Sequence, residues 1–192
     1  MVQQAQPQQG QPGMGPQPGT KWVLDTGNSG VSFVVRHFGV AFVRGVFNKF
    51  QGEIEFDPNN VAASRVSATV DTASFDTNNQ RRDDDLRGAN YLDVQNHPQM
   101  TFKSKRLEPL GQNHFRMLGD LTIKGITKEV PFDLIFGGTT SKDARGLEHA
   151  GFTAEATINR RDFGVTGDVF MPGGGSTVAD QVKIILDIEF RK

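Results

Sequence analysis

Polar and apolar residues alternate along most of the chain between Trp22 and Phe190, and each such run predicts a half-buried β-strand. Val31, Phe33, Val35 and His37 share one face of the first clear run, with Ser32, Val34 and Arg36 on the other. Residues 37–43 are mixed and contain Gly39, which predicts a turn or a short helix. In the next run Val46, Asn48, Phe50, Gly52, Ile54 and Phe56 fall on one face, opposite Lys49, Gln51, Glu53 and Glu55. Gly52 inside that run predicts a bend or bulge, of the kind a closing sheet requires. After a turn at Asp57-Pro58-Asn59-Asn60, Val66, Ala68 and Val70 resume the alternation. Four further faces follow: Phe115 to Ile123, Val130 to Phe136, Ala150 to Ile158 and Val182 to Phe190.

The longest break in this pattern is Arg81–Phe102, RRDDDLRGANYLDVQNHPQMTF. Arg81 and Asp85, like Asp83 and Arg87, stand at the i,i+4 spacing that brings side chains together on one helix face. Thr77 and Asn78 offer N-cap oxygens upstream, and Gly88 offers a stop. Beyond Pro98 the alternation returns at once, with Met100 and Phe102 on one face. The stretch predicts a short helical segment at one end of the β-structure, followed by a return strand. A charged plug in that place would control access to an apolar interior.

Together the runs make about eight strands with turn signals between them, which predicts an all-β antiparallel barrel or sandwich. The strands exceed the usual length of about five or six residues, which favours an extended barrel. A barrel of about eight strands is either filled by side chains or holds one small ligand. In the hollow case Phe33, Val35, Val46, Phe50, Ile54, Phe102, Leu121, Phe132, Leu134, Phe152, Ile158, Ile184 and Leu186 surround one elongated lumen. The small side chains of Ala150, Ala154 and Ala156 leave room in its wall. A packed sandwich with a solid core is the alternative. Apolar residues on the outward faces (Phe47, Leu118, Ile135 and Ile185) would favour a homodimer if neighbouring strands bring them together.

Composition sharpens the picture. The 192 residues include fifteen Phe against one Trp and one Tyr, and Phe brings no polar atom that needs a partner inside. A net charge of −1 supplies no field for nucleic acid or an anionic membrane. The lack of Cys removes disulfides, thiolate metal sites and a Cys nucleophile. Residues 1–20 are nearly all Gln, Pro and Gly and are expected to form a disordered tether, leaving residues 21–192 as the folded domain. That tether lacks the basic start and apolar run of a signal peptide, and it fits the exposed start of an exported protein or a cytosolic tail equally. No later window is apolar enough to span a membrane.

Residue patterns with known chemistry are few. There is no GxSxG, HExxH or phosphate loop, so no catalytic residue is assigned. His37, His97, His114 and His149 lie far apart without ligand spacing, and neither a metal nor a cofactor is expected. Asp83-Asp84-Asp85 lacks the Gly and Glu of a calcium loop, and Gly173-Gly174-Gly175 reads as a mobile loop. Asn159-Arg160-Arg161-Asp162 closes an apolar strand. It is either a loop anchored by Arg–Asp hydrogen bonds or a mouth that orients a polar head group. His37 is either a satisfied interior histidine or a ligand contact. The candidates for a polar mouth are His37, Arg82, Asp83, Asn159, Arg160 and Asp162.

These residues carry a resemblance. Trp22…Asp25…Ser29-x-Val31-x-Phe33 with His37, Gly45-x-Phe47-x-x-Phe50-x-Gly52, and Thr77…Arg82-Asp83-x-x-Leu86 come first. Pro98, Phe102-x-Ser104, Gly119-Asp120-Leu121-Thr122-Ile123-x-Gly125-Ile126-Thr127 and Ile158-Asn159-Arg160-x-Asp162-Phe163-Gly164-Val165 complete the order. In that order and spacing they resemble the YceI-like family, a lipocalin-like group known for binding polyisoprenoids and other long-chain lipids. The resemblance implies an extended antiparallel barrel with a helical element at one end, a lipid chain threaded inside, and a periplasmic or secreted setting. Asp85 and Asn28 stand where relatives commonly carry His, so a head-group preference does not carry over.

The expectation is therefore a non-enzymatic carrier or sequestering protein for a polyisoprenoid or similar long-chain lipid. Its competitors are an enzyme acting on such a lipid through Arg82, Asp83, Arg160 and Asp162, and a structural barrel with a filled core.

Overall fold

The computed structural model describes residues 19–169, 172 and 174–192. Most of the tail expected over residues 1–20 lies outside the described residues, and the first strand begins at Thr20. The loop expected at Gly173-Gly174-Gly175 is described only in part, with Gly174 and Gly175 at positive φ.

Eleven strand segments are present among the described residues: β1 (Thr20–Leu24), β2 (Gly30–His37), β3 (Ala41–Phe47), β4 (Phe50–Phe56), β5 (Arg65–Asp71), β6 (Phe75–Asp76), β7 (Gln99–Gly111), β8 (His114–Ile123), β9 (Ile126–Thr139), β10 (His149–Asn159) and β11 (Val178–Arg191). All their pairings are antiparallel, and they close into an eight-stave barrel because two pairs of segments act as single bent staves. β1 covers the last residues of β11 through Val23 and Leu24, and β2 covers the rest through Val31–His37. β4 runs beside β1 and β3 beside β2. The other staves are β5, β7, β8, β9, β10 and β11, each paired with the next. Closure leaves few unpaired backbone groups at sheet edges.

Residues 38–40 form the expected turn between β2 and β3, with Phe38 and Gly39 at positive φ and a 3.2 Å hydrogen bond from Val40 N to His37 O. Two local expectations change. Gly52 makes no bulge, because the β4–β5 register runs unbroken from Phe50 to Glu55. A Cβ there would instead stand 3.0 Å from the Ser67 carbonyl, so Gly52 permits a close approach of strands. The alternation also slips between β3 and β4. Asn48 N and Lys49 N both donate to Ser74, at its carbonyl and its hydroxyl, each at 3.0 Å. That anchor takes two residues out of the strand and puts Phe47 on the same inner face as Phe50. Phe47 is accordingly not an outward dimer residue. Leu118 and Ile185 are half-buried, while Ile135 is exposed.

The two barrel ends differ. At the end where β1 starts and β11 finishes, Trp22, Phe56, Phe136, Phe152 and Phe190 form a chain of tilted and edge-to-face ring contacts with centroids 5.2–6.0 Å apart. Each such pair contributes about 0.5–1.5 kcal/mol beyond its buried area. This end is shut. The opposite end carries the β2–β3 hairpin, the β8–β9 turn and helix α1 (Gln80–Leu86).

Candidate functional site

Between the aromatic floor and α1 the barrel is hollow. A cavity of ≈ 450 Å³ runs through it. Twelve of the thirteen residues expected to face inward line this space: Phe33, Val35, Phe50, Ile54, Phe102, Leu121, Phe132, Leu134, Phe152, Ile158, Ile184 and Leu186. Val46 does not. It is 44 % exposed on the outer face, displaced by the slip that turns Phe47 inward. Of the three alanines, Ala154 reaches the cavity, while Ala150 and Ala156 are buried away from it. The other small wall residues are Gly52 and Ala68, both on the apolar faces of their runs, which face each other across β4 and β5.

The hollow has a physical cause. The outer ring atoms of Phe33 lie over Gly45 and those of Phe102 over Gly119, in positions where any Cβ on those glycines would overlap the ring. Phenyl groups that lie along the wall widen the space they would otherwise fill. Side chains on β2 and β11 report the same thing: Phe33, Val35, Val182, Ile184 and Leu186 face inward yet remain only half-buried. On the β8–β9 side, Phe115, Met117, Phe132 and Leu134 are fully buried.

Helix α1 and the segment after it cover the open end. Asn79, rather than Thr77 or Asn78, caps the helix, its Oδ1 accepting from Arg82 N at 3.1 Å. Asp83 is buried and turned toward the chain, accepting from Thr77 Oγ1 at 2.6 Å and Thr77 N at 3.2 Å. Arg82 donates from Nε to the same hydroxyl and from Nη2 to the Thr77 carbonyl, both at 2.8 Å. The expected i,i+4 pairs do not form. Arg87 instead pairs with Asp84 at 3.1 Å and lies over the Phe75 ring. The plug is therefore two-sided, with Leu86, Tyr91 and Leu92 toward the lumen and Arg81 and Asp84 toward solvent.

The polar candidates divide. His37, Arg82 and Arg160 line the cavity at the α1 end, together with Asp85 and Thr177. Asp83, Asn159 and Asp162 do not. Asn159 accepts from Arg161 N at 2.9 Å to cap a short 3₁₀ turn (Arg160–Phe163), and Asp162 is exposed. Arg160 is buried and donates to the carbonyls of Val165, Gly167 and Ala179 at 2.9, 2.9 and 3.1 Å, and to Asp168 at 2.6 Å. Asp168 also accepts from Arg161 and, at 2.6 Å, from Ser176 Oγ. The Ser176 hydroxyl and then the two guanidinium groups hold its carboxyl well below the usual carboxylate range. This is the anchored-loop arrangement. The partners are Asp168 and Asp180, which no sequence spacing marked.

One cluster of potential ligand atoms lies at the closed end, where Asp25, His149 and Glu189 offer atoms within 4.8 Å of one another. Its charges are matched internally. Arg191 Nη1 stands 3.3 Å from Asp25, and the His149 ring lies 2.7 Å from Glu189 and 3.3 Å from Asp143. The Glu189 and then the Asp143 hydrogen bonds raise the imidazole pKa.

An eight-stave antiparallel barrel with one closed end, a helix over the other and an apolar lumen between them is the architecture of a barrel with room for one small apolar ligand. The chain belongs to the YceI-like family, whose domain pattern matches residues 22–190. It is similar to a UPF0312 protein of Vibrio cholerae, 37% identical over 146 residues, which are 75% of this chain and 77% of that one. A UPF0312 protein of Staphylococcus epidermidis is 32% identical over 171 residues, 89% of this chain and 97% of that one. Among solved structures, BcnA of Burkholderia cenocepacia superposes with a TM-score of 0.74 at 29% identity, over 86% of this chain and 98% of that chain. A polyisoprenoid-binding domain from Saccharophagus degradans shares the fold, with a TM-score of 0.65 at 12% identity over 88% of this chain and 97% of that one.

Proposed function

We propose that the protein binds one long-chain apolar molecule, a polyisoprenoid or a lipid of similar shape, and carries or sequesters it without chemical change. The observation that carries this reading is the ≈ 450 Å³ lumen, lined almost wholly by aliphatic and aromatic side chains and closed at one end by rings. Each methylene drawn from water into such a wall contributes about 0.8 kcal/mol, so a long chain binds tightly with few polar contacts. The floor of Trp22, Phe56 and Phe152 sets how deep the chain reaches, and His37, Arg82 and Asp85 stand where its polar end would emerge. Family membership supports the same reading, and the polyisoprenoid named for the Saccharophagus domain is one ligand to test. The reading includes no turnover. Arg160 and Asp83 spend their hydrogen bonds on backbone and on Thr77, whereas acid–base work needs groups within reach of a substrate atom. A periplasmic or secreted setting, where such cargo moves between membranes, belongs to the proposal as well.

The test is solvent extraction of protein purified from its native source, followed by mass spectrometry, with uptake of prenyl and fatty chains measured in parallel. A recovered long-chain lipid, released unaltered, is expected. An empty extract with no uptake of either chain class overturns the proposal, and a new product that disappears in Asp83→Asn would make the protein an enzyme.

A further inference from the structure

The β2–β3 hairpin carries a feature the barrel itself does not need. Phe38 and Gly39 both lie at positive φ, 51° and 71°, as the central residues of a tight hairpin turn do. Asn or Gly suits the first of these positions, and a bulky aromatic there is a conformational outlier. The ring is not taken into the core in return. It meets His37 edge-to-face at 4.4 Å and stays 49% exposed. Beside it Val40 is 85% exposed and Phe42 53%. Val169 is 61% exposed and is tied to this tip through Thr177, which donates to Val169 O at 2.8 Å and accepts from Phe38 N at 2.7 Å. His37, Thr177 and Val169 also line the lumen, so the exposed apolar rim is continuous with the cavity mouth.

Two arginines flank the rim. Arg36 lies 4.8 Å from the Phe42 ring centroid, and Arg44 is exposed on the same hairpin. Neither forms an ion pair among the described residues; Arg36 Nη1 donates to the Gly39 carbonyl at 2.8 Å, which holds its guanidinium at the level just behind the apolar tip, and Arg44 stays exposed beside it. An apolar tip backed by arginine fits the boundary between acyl chains and head groups.

We propose that the β2–β3 hairpin docks the barrel on a lipid bilayer, with Phe38, Val40 and Phe42 entering the acyl boundary and the mouth opening directly onto the membrane. The inference rests on the carrier reading in one respect. A cargo that partitions strongly out of water can leave a bilayer through an apolar rim without crossing the aqueous phase. The overall charge of −1 gives no long-range attraction, so insertion of the tip holds the complex and the arginines orient it. A second copy of the chain fits less well, because a stable dimer needs about 800 Å² per partner and a hairpin tip offers a narrow, protruding surface.

The experiment is flotation of the full chain with phosphatidylcholine–phosphatidylglycerol vesicles, comparing wild type with Val40→Asp/Phe42→Asp, Phe38→Gly and Ile135→Asp. Ile135, on the outer face of β9, is a control of similar exposure. The double variant is expected to lose at least about tenfold in partition coefficient, since two exposed apolar side chains no longer enter the acyl layer. Phe38→Gly should float less well while its thermal midpoint matches or exceeds that of wild type, which separates docking from folding. Ile135→Asp should float as wild type does. Uptake of a prenyl alcohol delivered from detergent should be unchanged in the double variant, while uptake from vesicles slows. Failure of every variant, wild type included, to take up the alcohol counts against the carrier reading and leaves flotation to decide docking alone. Equal flotation of wild type and the double variant overturns the proposal. So does a wild-type dimer in sedimentation that the double variant abolishes, because the tip would then join two copies.

Discussion

Ala68→Phe places an obstruction halfway along the lumen. Ala68 stands in register between Gly52 on β4 and Phe102 on β7, and it lines the cavity. Gly52 has no side chain to deflect a new ring, and Phe102 is already laid against Gly119, so the added phenyl group extends across the open space. A chain entering from the α1 end would stop there instead of reaching the aromatic floor. Each methylene held outside loses about 0.8 kcal/mol, about fourfold in Kd. Stranding about four methylenes therefore costs about 3 kcal/mol, about two hundredfold. Chains short enough to stay on the mouth side lose nothing. Displacement of an environment-sensitive fluorophore by prenyl alcohols of increasing length reads this directly, with Ile135→Phe on the outer face as control. The expected result is a break, with short chains unaffected and longer ones losing affinity up to a plateau. Equal loss at every length, or full affinity for the longest chain in a folded variant, refutes the lumen geometry.

Phe132→Arg puts an unpaired charge against Phe102, whose ring centroid lies 5.2 Å away. The cost is on the order of several kcal/mol, so uptake of any chain should vanish if circular dichroism shows the barrel intact. Arg160→Ala strips the donors from the carbonyls of Val165, Gly167, Val178 and Ala179 and leaves Asp168 facing a single arginine, Arg161. A loss of about 3–5 kcal/mol is expected in urea unfolding, with Asn79→Ala, a lost helix cap, costing only about 1 kcal/mol. The loop between β9 and β10 should respond to pH on its alkaline side. The raised pKa of His149 means its contribution is complete below about 6.5 and is lost as pH rises through the raised value. Asp143, held down to about 2 chiefly by the Leu147 backbone N–H, keeps its charge, so its contribution goes only as pH falls toward that value. Amide exchange over residues 143–149 should quicken with that alkaline step beyond its ordinary base catalysis, and His149→Gln should abolish the step. Exchange in the variant that follows the wild-type profile would rule out this role for His149.

Alternation of period two assigns most of the wall from local pattern alone, because successive strand side chains must take opposite faces. Phe33 to His37, Phe115 to Ile123 and Val182 to Phe190 depend only on that rule, and the turn chemistry between runs is enough to count the staves. The position and brevity of α1 are also legible, since charge without alternation has no place in a half-buried strand. Tertiary structure decided whatever depended on a distant neighbour. Val46 and Phe47 exchange faces because Ser74 captures the backbone of Asn48 and Lys49, a contact no window of sequence contains. Asp168 and Asp180, rather than Asp162, answer the two arginines because the chain folds back after Phe163. That the interior is hollow rests on Gly45 and Gly119 lying under Phe33 and Phe102 from adjacent strands. A ring's direction is set by the space beside it, and only closure of the barrel creates that space.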